Sequence, residues 1–115
     1  MKDNVLNEIK KRALEEKIPI IMDDTLLTIK KYIDSKKIDK ILEIGTAVGY
    51  SAICFSEFLS EDGKIDTIER AEERVIEAKE NIKKMELEDK INIFEGDAVE
   101  ILPKMNEKYD MVFID

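Results

Sequence analysis

The sequence predicts an α/β fold: a parallel sheet with helices on both faces, whose first four strands are preceded by two helices. Two observations carry this. From Lys40 onward, short apolar runs alternate with amphipathic stretches of helical period, the pattern of strand–helix–strand units joined by right-handed crossovers. Within it, residues 40–53, K-I-L-E-I-G-T-A-V-G-Y-S-A-I, read as a buried strand, a turn punctuated by Gly45 and Gly49, and a helix start at Tyr50 and Ser51.

The elements follow in order. Val5, Leu6, Ile9, Ala13 and Leu14 recur at helical spacing and predict a first helix over about residues 2–17. Pro19 breaks it. Asp23 or Asp24 can cap a second helix that carries Leu26, Leu27, Ile29 and Ile33. That helix ends near Ser35, Lys36 and Lys37, with cations at the favourable end. Strand one covers 40–44. A helix over 50–60 directs Ile53, Cys54, Phe55, Phe58 and Leu59 to the core, and Asp62-Gly63 signals a turn. Strand two covers 64–68. A helix over 71–85 turns Val75, Ala78, Ile82 and Met85 inward and Glu72, Glu73, Glu77 and Glu80 outward. Strand three covers 91–94, a short helix follows Asp97 over 98–102 and stops at Pro103, and strand four covers 110–114.

Strand four, M-V-F-I, is apolar throughout, as expected of a strand covered on both faces. Such a strand belongs in mid-sheet, and an end there leaves an unprotected apolar edge. The sequence therefore reads as the front portion of a longer protein. Residues 1–38 are a helical segment, and 39–115 are the amino-terminal half of the sheet domain.

Composition narrows the chemistry. The 115 residues make one domain, and 43% hydrophobic with 40% charged residues describes a soluble chain with a heavily charged surface. Net charge of −8 disfavours broad binding to nucleic acid or anionic membrane. Lys10, Lys11, Arg12, Lys36 and Lys37 are the candidate basic patch; they alternate with acids and read as solvated helix faces. Apolar runs reach only about five residues, too short to span a membrane, and the first ten residues lack a signal-peptide core. One cysteine, Cys54, excludes an internal disulfide and fits a reducing cytoplasm. With no histidine, His-based catalysis and His-ligated zinc are excluded, and one thiol excludes thiolate zinc clusters. A metal here would be hard and oxygen-ligated, such as magnesium.

A strand that turns on glycines into a helix places free backbone N–H groups and a positive dipole end beside a bound anion or nucleotide. Glu69 and Asp97 end the next two strands, and Asp115 is the last residue. Together these points describe a nucleotide-type cofactor site along the carboxyl edge of the sheet. The dinucleotide fingerprint G-x-G-x-x-G is incomplete: G-T-A-V-G has Thr46 and Ala47 where a second glycine would stand. That weakens a nicotinamide or flavin reading, the dehydrogenase alternative.

The run E-I-G-x-x-x-G-Y-S (43–51) resembles instead the first motif of class I S-adenosylmethionine (SAM)-dependent methyltransferases. More narrowly it resembles the cation-dependent O-methyltransferase family that includes catechol and caffeoyl-coenzyme A methyltransferases. The resemblance continues through I-E-R (68–70), F-E-G-D-A (94–98) and Y-D-M-V-F-I-D (109–115), covering roughly residue 18 to the end. Within the family, I-P-I around Pro19 and E-I-G-T-A-x-G-Y-S-A-I are most similar to the bacterial branch that methylates 5-hydroxyuridine in tRNA. The resemblance implies a Rossmann-like methyltransferase fold, SAM as cofactor, a divalent metal such as Mg2+ in the intact protein, and a hydroxyl acceptor on tRNA or a small catechol-like molecule. It also suggests that helix one joins a homodimer or covers the acceptor site; an ordinary packing helix is equally consistent.

Residue by residue, Glu69 stands 24 positions past Gly45, where a carboxylate accepts hydrogen bonds from ribose hydroxyls; Arg70 is its neighbour. By resemblance Asp97 takes the adenine amino group, while doubling as a helix cap, and the Ala98 N–H faces a ring nitrogen. Glu43 and Ser51, with the Gly45 backbone, hold the methionine amino and carboxylate ends. Thr46 and Gly49 complete the turn, residues 20–22 approach the methionine moiety by backbone, and Tyr50 covers the cofactor. Asp115 borders the cofactor and is one of three metal ligands. A general-base lysine and an Asp-Asn ligand pair are expected past residue 115, so the catalytic residues are not in this sequence, and one carboxylate is too few for a magnesium site. A rival of another class is an inactive fragment that self-associates through strand four. Cys54 reads as a small core residue, Tyr32 and Tyr109 as core or helix-end residues, and the five methionines as core filler.

Overall fold

A computed structural model describes residues 2–115 of the chain. The elements are α1 (Asp3–Glu15), α2 (Asp23–Lys36), β1 (Lys40–Ile44), α3 (Tyr50–Ser56), β2 (Lys64–Glu69), α4 (Glu72–Lys84), β3 (Ile91–Glu95), α5 (Ala98–Ile101) continued by a 3₁₀ turn at Leu102–Lys104, and β4 (Met111–Ile114). All strands are parallel, in the order β3-β2-β1-β4. The chain steps outward from β1 to β3, then reverses to lay β4 on the other side of β1. That reversal creates the switch point at which ligands enter an open α/β sheet.

Register builds the core. Ile41 pairs with Ile65 and Met111, and Ile65 pairs with Ile91; Ile41, Ile65 and Ile91 are buried in one row. All seven residues of α3 are buried, as befits a helix enclosed by sheet, α1 and α4. Phe55 of α3 meets Phe113 of β4 edge to face, with centroids 5.1 Å apart, an arrangement that suits two ring quadrupoles. On α4 the inward set is Val75, Ala78 and Ile82, joined by Asn81, which donates to the Val48 carbonyl at 2.8 Å.

The opposite face is more polar. Asp66 is buried there and accepts from Asn92 at 3.1 Å and from the Tyr109 hydroxyl at 2.7 Å, tying the segment before β4 to the sheet. Only the short α5 crossover lies toward this face, as a right-handed connection to β4 requires. Within these residues β4 is covered on one face: Met111 and Phe113 pack on the core, while Val112 and Ile114 are 54% and 70% exposed.

Several boundaries move from expectation. Met22, not Asp23 or Asp24, is the residue before α2; Asp24 accepts from the Thr25 N–H inside the first turn, and Asp23 is held by Lys10. Helix α3 stops at Ser56, whose hydroxyl turns back on the Ile53 carbonyl, while the Ser60 N–H and hydroxyl are taken by Asp39. Asp110 precedes β4 and accepts the N–H groups of Asp39 and Lys40 at the start of β1. Pro103 lies inside the 3₁₀ turn rather than ending α5. Tyr32 and Met22 are exposed, contrary to core roles; Met1 lies outside the described residues. Among the described residues no helix is long and apolar enough to cross a membrane.

Candidate functional site

The turn after β1 is held by its own hydrogen bonds. Gly45 sits at φ +99° and Gly49 at φ +88°, conformations that disfavour any side chain. The N–H groups of Gly45 and Thr46 both donate to the Ile68 carbonyl, at 2.9 and 3.3 Å, and the Gly49 N–H donates to the Thr46 carbonyl. The Ala47 N–H donates to Glu69 Oε1 at 2.9 Å. These four donors are not free, contrary to the anion-holding expectation.

Beside the turn lies a cleft of about 240 Å³. Ile44 and Ile68 line it between two acidic groups, with Glu69 and Arg70 from the end of β2 on one side and Asp97 and Ala98 from the end of β3 on the other. Glu69 is half-buried, and its second oxygen accepts from the Ala71 N–H at 3.0 Å. Each carboxylate oxygen has two lone pairs, so acceptor capacity toward the cleft remains. Asp97 caps α5 through one oxygen, accepting from Val99 N–H at 3.0 Å, and leaves the other unused. Apolar surface with a carboxylate at each side suits a flat heterocycle carrying an exocyclic amine and a vicinal diol. A larger groove of about 520 Å³ flanks β3 by Ile82, Ile93 and exposed lysines. Its polar groups, Lys79, Lys83, Glu88 and Asn92, stand apart from Gly45, Glu69 and Asp97 at the carboxyl edge, so the smaller cleft is the candidate.

A second crevice, about 10 Å³, opens on the other side of the turn. Ile20 and Ile21 from the α1–α2 connection, Thr46, Tyr50, Ser51 and Asp115 line it. Glu43 lies beneath, fully enclosed, receiving hydrogen bonds from Ser51 and, at 2.7 Å, from Thr67. Thr67 and Thr46 hydroxyls are 2.6 Å apart. Burial pushes Glu43 up to about 7; the Ser51 and Thr67 bonds pull it down, and the nearby charges of Asp115 and Glu69 raise it further. Burial also raises the Tyr50 phenol beside Cys54.

The structure thus gathers Gly45, Glu69, Arg70, Asp97 and Ala98 around one cleft and Thr46, Tyr50, Ser51 and Asp115 around the other. Gly49 belongs to neither: a Cβ there would lie 3.4 Å from Ala78 Cβ, so this glycine allows α4 to approach. The Glu43 carboxylate sits under the crevice, not in it. Sequence reasoning missed Thr67, a polar residue at an inward strand position beside Glu43, and the apolar pair Ile44 and Ile68. The strand register, which pairs Glu43 with Thr67, is the signal that finds the first. Asp115 is exposed, and among the described residues no three Asp, Glu, His or Cys side chains converge to hold a metal. The donor set on this chain does not by itself fit a magnesium ion.

Known proteins share this arrangement. A protein from Staphylococcus aureus, provisionally assigned as a caffeoyl-CoA O-methyltransferase, superposes with a TM-score of 0.90 at 39% identity, over 96% of this chain and 53% of that one. An O-methyltransferase from Bacillus cereus, solved in complex with SAH (S-adenosylhomocysteine), gives 0.86 at 30% identity, over 100% of this chain and 55% of that one. In sequence, a catechol O-methyltransferase from Niastella koreensis is 37% identical over 79 residues, 65% of this chain and 36% of its own length. A probable cobalt-precorrin-6B C(15)-methyltransferase from Saccharolobus solfataricus is 28% identical over 100 residues, half of its length. The chain therefore spans about half the length, or less, of the relatives it matches. A sequence model described as O-methyltransferase matches residues 2–115, and the chain belongs to that family.

Proposed function

We propose that this chain is the cofactor-binding part of a SAM-dependent O-methyltransferase. One observation carries the reading: Glu69 and Asp97 flank an apolar cleft beside a turn in which the N–H groups of Gly45, Thr46, Ala47 and Gly49 are already engaged. That pairing suits a nucleoside, with the amine of its base at one carboxylate and its diol at the other. Adenine lies over Ile44 and Ile68 with its amino group toward the free oxygen of Asp97 and a ring nitrogen toward the Ala98 N–H. The ribose diol meets Glu69. The amino-acid end reaches past Gly45 toward Ser51, Thr46 and the backbone of residues 20–22, with Tyr50 as a wall.

In the whole protein we read the activity as in-line methyl transfer to a hydroxyl oxygen, held in line with the methyl carbon and shielded from water. A divalent metal, when bound, would acidify that hydroxyl; Asp115 is the ligand this chain offers. The acceptor class is a hydroxyl with a second oxygen beside it. The names of the relatives and the net charge of −8 support a small catechol-like molecule. The motif details around Pro19 and Gly45 support 5-hydroxyuridine in tRNA, a reading that needs a basic surface from the rest of the protein. Residues 1–38 form the helical segment, with α1 as dimer contact or acceptor cover, and 39–115 the cofactor half. The single free thiol suits a cytoplasmic enzyme.

Calorimetric titration with S-adenosylhomocysteine and, separately, NAD+ tests this. Saturable 1:1 binding of the first and none of the second is expected. Binding of NAD+ alone, or of neither by a folded chain, contradicts it. A second reading, self-association through strand four, draws on the exposed Val112 and Ile114; a monomer in sedimentation eliminates it.

A further inference from the structure

Hydroxyl protons are scarce beneath the small crevice, and counting them fixes the direction of a buried chain. Thr67 has one hydroxyl proton, yet its oxygen lies 2.7 Å from Glu43 Oε1 and 2.6 Å from Thr46 Oγ1. Above about pH 7, where Glu43 is ionised, its carboxylate only accepts, so there Thr67 donates to Glu43 and Thr46 donates to Thr67. Ser51 donates to the other oxygen of Glu43. Both hydroxyls on the crevice wall therefore commit their protons inward, and what remains on them is lone pairs. With the Asp115 carboxylate the wall holds acceptors from three residues, around room for about one water-sized group.

We propose that Thr67 is a positioning residue: by taking the Thr46 proton and anchoring Glu43, it keeps this crevice a wall of acceptors that selects a protonated amine. The inference rests on the cofactor reading above, in which the amine is the α-ammonium group of the amino-acid end. Thr67 is fully buried and acts only through Thr46, Glu43 and Ser51. Without its hydroxyl, Thr46 is free to turn its proton into the crevice. Glu43 loses one of the two bonds that hold its acidity, takes up a proton more readily, and in turn releases the Ser51 hydroxyl from its role as donor. The charged groups facing Glu43 are Asp115 after β4 and Glu69 at the end of β2; both are acidic and both favour the protonated form.

The test measures affinity of the full 115-residue chain for S-adenosylhomocysteine and for 5′-methylthioadenosine, which has the same nucleoside but no amino-acid end. Wild type, Thr67→Val and Thr67→Ser are compared from about pH 5.5 to about pH 8.5, a range that brackets Glu43. In wild type, binding of S-adenosylhomocysteine tightens as pH rises through about 7 while 5′-methylthioadenosine stays flat. Thr67→Val weakens the first ligand about tenfold or more, moves its pH rise upward, and leaves the second unchanged. Thr67→Ser restores the wild-type pattern. Equal loss for both ligands, or no loss, overturns the proposal. If Thr67→Val does not fold, the wild-type profiles decide: affinities that move in parallel with pH overturn it. Binding of 5′-methylthioadenosine with no preference for S-adenosylhomocysteine removes this inference and leaves the cofactor reading standing, whereas binding of neither removes both.

Discussion

Glu69 holds Ala47. Its Oε1 accepts the Ala47 N–H at 2.9 Å while Oε2 accepts the Ala71 N–H at 3.0 Å. Ala47 lies at φ +50°, in the left-handed region. That region costs a residue with a Cβ roughly 1 to 2 kcal/mol, and a hydrogen bond to a charged acceptor contributes about 1.5 to 3 kcal/mol. The bond is large enough to offset the strain, so the acid at the cleft also holds the shape of the turn that borders it.

Ala47→Gly removes the left-handed strain and keeps the N–H. Urea titration is expected to find stability unchanged or raised by up to about 1 kcal/mol. Ala47→Val adds a β-branched side chain in the same region and is expected to lose about 2 kcal/mol. Equal losses for both would contradict the assignment of strain to Ala47.

Glu43 gives the fold a pH dependence. Burial raises it from 4.5 to about 7. Between those values the unfolded chain is ionised and the folded chain protonated, so folding takes up a proton. The resulting stability is complete below pH 4.5, is lost as pH rises to about 7, and amounts to about 3 kcal/mol. Thermal melts of wild type should fall across the upper part of this window, and Glu43→Gln should flatten the slope. A wild-type stability that rises from about pH 5 to about pH 7.5 would contradict this sign.

Phe113 anchors β4 through its edge contact with buried Phe55. Phe113→Ala is expected to cost about 2 to 4 kcal/mol. Ile114→Ala, at a side chain 70% exposed, should stay within about 0.5 kcal/mol. Comparable losses by chemical denaturation would mean that both faces of β4 are covered in solution.

Cys54 is buried, and burial pushes its thiol up to about 11. The thiolate is the reactive form, so alkylation near neutral pH should be slow in the native chain and accelerate sharply in denaturant. Fast native alkylation would show that α3 opens readily.

Much of this was legible in the sequence, for identifiable reasons. Strands β1 and β2 announce themselves because glycines and Asp62-Gly63 punctuate buried apolar runs, and α4 because its inward set keeps strict helical spacing. Glu69 and Asp97 are readable because chain order puts them at strand ends on one sheet edge. Contacts distant in sequence were not readable. The length of α3 depends on Asp39 capturing Ser60, 21 positions away. The turn N–H groups look free until β2 lies beside β1 and brings the Ile68 carbonyl and Glu69 to them. Thr67 gains its meaning only from the register that sets it opposite Glu43.

Calorimetric titration of this chain with S-adenosylhomocysteine, beside a Glu69→Ala variant checked for folding by circular dichroism, tests the central claim most directly. Saturable 1:1 binding is expected, weaker in the variant by about 1 to 3 kcal/mol. A folded variant that binds as tightly as wild type, or a folded wild type that does not bind, would contradict the cofactor site described above.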